Sequence, residues 1–246
     1  MRVQGGCAIA VMAKAPRSGF CKTRLTPPLS AEQACALSKA FLRDITENLA
    51  EAARHAPITP VVAFAPAGLE YLFNGVLAHG TRLLLADGAG PMPDGVEGFG
   101  RCLLQTVQKL LAEGFESVCV LNADSPTLPT SYLIQAAHQL ANPGADVVLG
   151  PAEDGGYYLL GLRAAQPRLF TDIAWSTDQV ARQTRARADA AGLPLVELPM
   201  WYDVDDAAAL RRMLGEVAQA GSAYPAPATA ELARILDLAE QLRVAA

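Results

Sequence analysis

The chain has 246 residues, with 25 acidic and 20 basic side chains, and its formal net charge of −5 argues against a general nucleic-acid binder. Hydrophobic residues make up 51% of it, which is ample for one large core or two small ones, and no apolar run approaches the ~20 residues of a membrane span. The early apolar piece is short and runs directly into basic residues, so it does not read as a signal peptide, and the protein is expected in the cytoplasm.

Cys7–Ala13 is a continuous apolar run, the pattern of a buried parallel strand. A basic loop follows, closed by Pro27-Pro28. Ser30-x-x-Gln33 is a capping box, and Leu37, Phe41, Ile45 and Leu49 mark an amphipathic helix over about Ala31–Ala53. Pro60–Ala65 is the second strand, Gly68–Leu77 a short helix and Arg82–Ala86 the third strand. Asp87–Gly100, rich in Gly, Pro and Asp, is expected as a mobile functional loop. Phe99 to Leu111 forms a helix that Gly114 ends. Ser117–Ala123 is the fourth strand and runs into Asp124-Ser125-Pro126. A helix over Ser131–Leu140, strands Asp146–Gly150 and Tyr157–Leu162, a helix over Asp178–Ala191 and strand Leu195–Leu198 come next. W-Y-D-V-D-D opens a helix running to about Gln219, 221–228 reads as a linker, and Thr229–Val244 as a final helix.

Strands alternate with helices throughout, which is the signature of a three-layer α/β/α fold with a mostly parallel sheet of about seven strands. In such sheets ligands bind off the carboxyl ends of the strands. The unusual residues of this chain fall there. Lys14, Arg17, Lys22 and Arg24 crowd the loop after the first strand. Their types suit phosphate groups, with Gly19 allowing a tight turn. The loop is neither a Walker A motif nor a G-x-G-x-x-G turn. Asp124, at the end of a buried strand, suits a hard cation such as Mg²⁺ or Mn²⁺, although it would equally serve as a helix N-cap. In W-Y-D-V-D-D, Asp203 and Asp205 project to one side, so one of them can complete a metal site while Asp205 or Asp206 caps the helix. Asp154, Gly155 and Gly156 form a tight turn suited to a second ligand, and Trp175 lies where it can line the acceptor side. The five cysteines (Cys7, Cys21, Cys35, Cys102 and Cys119) lack any C-x-x-C pair and read as reduced thiols. Three isolated histidines argue against a Ser-His-Asp triad.

Taken together, A-K-A-P-x-x-G-x-x-K-T-R-L at Lys14, A-F-L-x-D at Asp44, Gly100-Arg101, D-S-P-x-L-P at Asp124, D-G-G-Y-x-L-x-G-L, W-S-T-x-x-V and D-V-D resemble the GT-A-type nucleotide-diphospho-sugar transferase superfamily. The resemblance is nearest to its DUF2064 "transferase 1" branch and runs to about Leu214. The basic loop is also similar to that of phospholactate guanylyltransferases, which holds a nucleoside triphosphate. The resemblance implies a GT-A-like domain over residues 1–220, with 221–246 as linker and appended helix. It implies that Lys14, Gly19, Lys22, Thr23, Arg24 and Arg101 bind a nucleotide, and that Lys22 and Asp124 are catalytic. Asp124 and Asp205 would ligate Mg²⁺ or Mn²⁺, with Asp154, Gly155, Gly156 and Trp175 facing a small acceptor. Asn122 departs from the family's glycine. Two transferase activities remain open, nucleotidyl transfer from a nucleoside triphosphate and glycosyl transfer from a nucleotide-sugar. A non-catalytic nucleotide-binding module is the third reading.

Overall fold

The opening apolar run forms β1 (Cys7–Lys14), buried from Cys7 through Val11. In this computed structural model, which describes residues 5–217, 221 and 223–244, β1 lies inside a single seven-stranded sheet. It runs parallel to β2 (Ile58–Ala65) on one side and to β4 (Ser117–Leu121) on the other. Beyond β2 lies β3 (Arg82–Leu85), and beyond β4 come β6 (Tyr157–Leu162), β5 (Val147–Pro151) and β7 (Leu195–Glu197). The order is β3-β2-β1-β4-β6-β5-β7. Among the described residues, β6 is the one strand antiparallel to both its neighbours. The turn from Pro151 to Tyr157 is too short for a crossover, so the chain must reverse there.

Side chains alternate across β1. Ile9 and Val11 enter one core with α1 (Ala31–Ala52), α3 (Thr130–Ala141), α5 (Ala207–Val217) and α7 (Leu238–Val244), built on Leu37, Phe41, Leu133, Leu210 and Leu242. Ala8 and Ala10 face the other layer, where α2 (Phe99–Ala112) and α4 (Val180–Ala190) contribute Leu103, Val107 and Ala188. The result is the expected α/β/α sandwich. The α1 capping box forms in full: Gln33 N donates to Ser30 Oγ at 3.2 Å and Ser30 N to Gln33 Oε1 at 2.8 Å.

Three local expectations need correction. Gly68–Leu77 is not an α-helix but a 3-10 turn at Glu70–Phe73, held by Phe73 packing edge-on against Phe64. The Asp87–Gly98 loop is tied down along part of its length: Gly88 N donates to Gln105 Oε1, and Gln105 Nε2 to the Ala89 carbonyl. The tail is two helices, α6 (Pro227–Ile235) and α7, broken where Asp237 takes φ +48°. Asp44, fully buried on α1, accepts hydrogen bonds from Ala228 N and Thr229 N, both at 2.8 Å, and so fixes the first turn of α6. The expected extension of α5 to Gln219, and Ser222 of the expected linker, lie outside the described residues. Among the described residues the five cysteines are free thiols, and no helix is long and apolar enough to cross a membrane.

Candidate functional site

Beyond β4, Asn122 N still pairs with the Tyr158 carbonyl at 2.8 Å, and the chain then turns through Asp124. Two bonds join this turn to the D-V-D segment. Ser125 Oγ donates to the Tyr202 carbonyl at 2.9 Å, and Val204 N donates to the Asp124 carbonyl at 2.8 Å. Asp124 and Asp205 therefore converge on one point. Asp206 caps α5 by accepting from Ala209 N at 2.8 Å, which leaves Asp205 available.

Lys22 fills the point of convergence. Its Nζ lies 2.6 Å from Asp124 Oδ1, 3.4 Å from Asp205 Oδ1 and 2.6 Å from the Val204 carbonyl oxygen. Its side chain is only 6% exposed, and its backbone adopts the left-handed conformation, φ +51°, which non-glycine residues rarely take. Arg24 reaches the other oxygen of Asp205 at 3.3 Å, but at 71% exposure this pair contributes little stability.

A cavity of about 600 Å³ opens beside the trio. One wall carries Lys14, Lys22, Thr23 and Arg24, with Asp124 and Asp205 at the edge. The ends of β2 and β3 supply small apolar wall at Ala63, Ala65 and Ala86. This is the size of a small-molecule site, and its lining combines charged residues with small apolar ones. Phe20 and Phe99 also line it and are 59% and 48% exposed. Sequence reasoning missed both, along with the Val204 carbonyl. An aromatic inside a basic loop was the available signal for Phe20. The Arg17 guanidinium lies over that ring, 3.5 Å from its centroid.

A second recess of about 540 Å³ lies on the other side of Arg24 and Asp205, with Glu153, Asp154, Asp203 and Arg212 among its lining residues. Burial, reinforced by the charges of Asp154, Asp205 and Asp124, pushes the Asp203 carboxyl up to about 6.

The remaining predicted residues divide. Gly19 sits in the loop at φ +79° and does not line either cavity among the described residues. Arg101 is turned away from the cavity: its Nε donates to the Gly88 carbonyl at 3.0 Å and a terminal nitrogen to the Gly90 carbonyl at 2.6 Å. Its guanidinium is used to hold the loop, and Arg101 is not among the residues lining the cavity. Asp154 folds back on its own turn and accepts from Gly156 N at 2.8 Å. Gly155, at φ +87°, leaves no room for a side chain, since a Cβ would lie 2.3 Å from the Asp178 carbonyl oxygen. Trp175 packs against Phe99 and over Gly100, beside the cavity, whereas its neighbour Ser176 lines it. Asn122 donates to Ser125 Oγ at 3.1 Å, bracing the Asp124 turn. Burial pushes the Cys21 thiol up to about 11, leaving it protonated and a poor nucleophile near neutral pH.

The oxygens around Lys22 Nζ form a hard donor set of two carboxylates and a carbonyl. Mg²⁺ takes one or two carboxylates and completes its shell with water and phosphate oxygens, so these residues fit such a cation. Among the described residues no cluster of three or more His, Cys, Asp or Glu side chains offers a closed protein cage.

A protein of Desulfovibrio desulfuricans G20, provisionally described as a nucleotide-diphospho-sugar transferase, is 26% identical and superposes with a TM-score of 0.78 over 96% of each chain. A CMP:2-keto-3-deoxy-manno-octonic acid synthetase complexed with CTP matches at 13% identity and TM-score 0.54, over 87% of this chain and 99% of that one. A cytidylyltransferase of Leptospira borgpetersenii serovar Hardjo-bovis (strain JB197) matches at 11% identity and TM-score 0.50, over 97% and 96%. These two likenesses show the fold alone. No curated protein matches the sequence. A family profile described as "Uncharacterized protein conserved in bacteria (DUF2064)" matches residues 46–177, which include Asp124 and the D-G-G-Y turn but neither the basic loop nor D-V-D. That match spans more than half of the sequence, and the chain belongs to the DUF2064 family.

Proposed function

We propose that this protein is a divalent-metal-dependent transferase acting on a nucleotide donor, and that the reaction is nucleotidyl transfer from a nucleoside triphosphate to a small acceptor with release of pyrophosphate. One observation carries the reading: Asp124 and Asp205 converge at the edge of a cavity whose adjoining wall carries Lys14, Thr23 and Arg24. Carboxylates and cations lining one cavity of about 600 Å³, together with small apolar residues, suit a metal-bound polyphosphate and its base. The likeness to the Desulfovibrio desulfuricans protein supports the same class.

Bound to Asp124 and Asp205, the metal would supply neutralisation of the phosphate charge that develops as the bond to the leaving group breaks. Lys14 and Arg24 hold the leaving phosphates, and Thr23 offers them a hydroxyl. An acceptor oxygen forms a bond to the α-phosphorus, the bond to the bridging oxygen breaks with its electron pair going to the departing pyrophosphate, and any proton on the acceptor oxygen passes to solvent. The protein positions and neutralises, without a covalent nucleophile of its own. The acceptor is assigned to the second recess, which Asp154 lines, with Gly155 and Gly156 forming the turn that carries Asp154.

The second reading, glycosyl transfer from a nucleotide-sugar, is favoured by the description of the Desulfovibrio desulfuricans protein. Incubation with each nucleoside triphosphate and with common nucleotide-sugars, with Mg²⁺ or Mn²⁺, separates the two by product. Pyrophosphate supports nucleotidyl transfer, and a nucleoside diphosphate supports glycosyl transfer. Binding without either product supports a non-catalytic module.

A further inference from the structure

Lys22 occupies the same three oxygens that a divalent cation needs. Its Nζ is 2.6 Å from Asp124 Oδ1, 2.6 Å from the Val204 carbonyl and 3.4 Å from Asp205 Oδ1. A Mg²⁺ ion bound to those oxygens would stand ~2.0–2.1 Å from each, and two cations cannot share that space. We infer that Lys22 is an exchangeable counter-ion: it neutralises Asp124 and Asp205 in place of the metal, and when displaced it swings into the cavity to meet the polyphosphate. Metal and polyphosphate therefore bind cooperatively. The inference rests on the metal reading of Asp124 and Asp205.

Three features support the exchange. The ammonium is a compact point charge on a flexible four-carbon stem, able to move without moving its backbone. Lys22 lines the same cavity as Lys14, Thr23 and Arg24, so its new partner lies within the sweep of that stem. Withdrawing the ammonium would leave two like-charged carboxylates, both within 3.4 Å of the point Lys22 Nζ occupies, without the counter-charge between them. Displacement is thus favourable only when a cation replaces the ammonium, and is helped further when phosphate receives it. Either ligand favours the conformation that binds the other, which is reciprocal coupling. An arginine at this position would grip the carboxylates with a planar fork and resist displacement.

The test is Mn²⁺ binding, read from the free-ion paramagnetic resonance signal, in the wild type, Lys22→Met, Lys22→Arg and Asp124→Asn. Lys22→Met should bind Mn²⁺ at least tenfold more tightly than the wild type, and Lys22→Arg more weakly. Equal affinity in the wild type and Lys22→Met, with Asp124→Asn weakened, would overturn the exchange while leaving the metal site intact. Binding unaffected by Asp124→Asn would overturn both. A second measurement uses the wild type alone. Amine-reactive labelling of Lys22, read by mass spectrometry against Lys39, should rise at least fivefold with Mg²⁺ and fall again when inorganic triphosphate is added. Labelling that ignores Mg²⁺ overturns the proposal even if the variants fail to fold.

Discussion

The ε-ammonium of Lys22 lies 2.6 Å from Asp124 Oδ1, joining the loop after the first strand to the turn after the fourth. Asp124 has a structural partner as well as its proposed chemical one. Asp124→Asn keeps the size of the side chain and an oxygen for Lys22, and Asp205 still faces the ammonium. We expect turnover to fall by at least ~100-fold, on the order of losing one electrostatic stabiliser of the transition state. Folding should be retained, with stability reduced by about 1 kcal/mol or less, since Asp124 is partly exposed at 36%. Urea unfolding and product assays on the same preparation check both parts.

Arg101 holds the Gly88 and Gly90 carbonyls rather than reaching the cavity. Arg101→Ala should free that part of the loop, raising backbone amide exchange over residues 88–91 at least tenfold and leaving the fold intact. Nucleotide affinity should drop only a fewfold. Unchanged exchange with affinity lost would mean that the side chain contacts the nucleotide directly.

Gly155 combines φ +87° with a backbone approach that places a Cβ 2.3 Å from the Asp178 oxygen and 2.6 Å from its Cα. These are main-chain atoms and cannot rotate away. Gly155→Ala should cost roughly 2–4 kcal/mol, the range for a strained backbone with a steric conflict. Denaturant unfolding measures it. A loss below 0.5 kcal/mol would mean that the turn relaxes freely.

Asp44 ties the tail to α1 through two backbone N–H groups, and burial raises its carboxyl above the ordinary 3.8. With the native value above the unfolded one, the favourable contribution is complete below the unfolded value and is lost as pH rises through the native one. Asp44→Asn removes this titration and one good acceptor, at a cost of ~1–2 kcal/mol near neutral pH. The stability difference between wild type and Asp44→Asn should move further in the wild type's favour as pH falls from 7 to 4. A difference independent of pH would contradict this assignment.

Much of the architecture was legible because buried parallel strands read as unbroken apolar runs, as in Cys7–Ala13 and Ser117–Ala123. The direction of β6 was not, since Tyr157–Leu162 is equally apolar read either way; the clue was the short P-A-E-D-G-G connection. Residue types pointed to both acidic and basic groups at one edge of the sheet, because each follows a strand. Spacing says nothing of reach, however. Lys22 was assigned to phosphate by its neighbours in sequence, whereas its left-handed backbone and long stem take it to the Val204 carbonyl. Arg101 likewise sits where the motif has it, yet local carbonyls claim its donors first. The break at Asp237 hides within a sequence of good helix formers.

Asp124 and Asp205 with Lys14, Lys22 and Arg24 are proposed to form one metal–nucleotide site. The most direct measurement is calorimetric binding of the four nucleoside triphosphates, with and without Mg²⁺, to the wild type and Asp124→Asn. At least one triphosphate should bind the wild type at least tenfold more tightly with Mg²⁺, and Asp124→Asn should abolish this gain. Binding that is indifferent to both Mg²⁺ and Asp124, or no binding of any triphosphate, would contradict the proposed site.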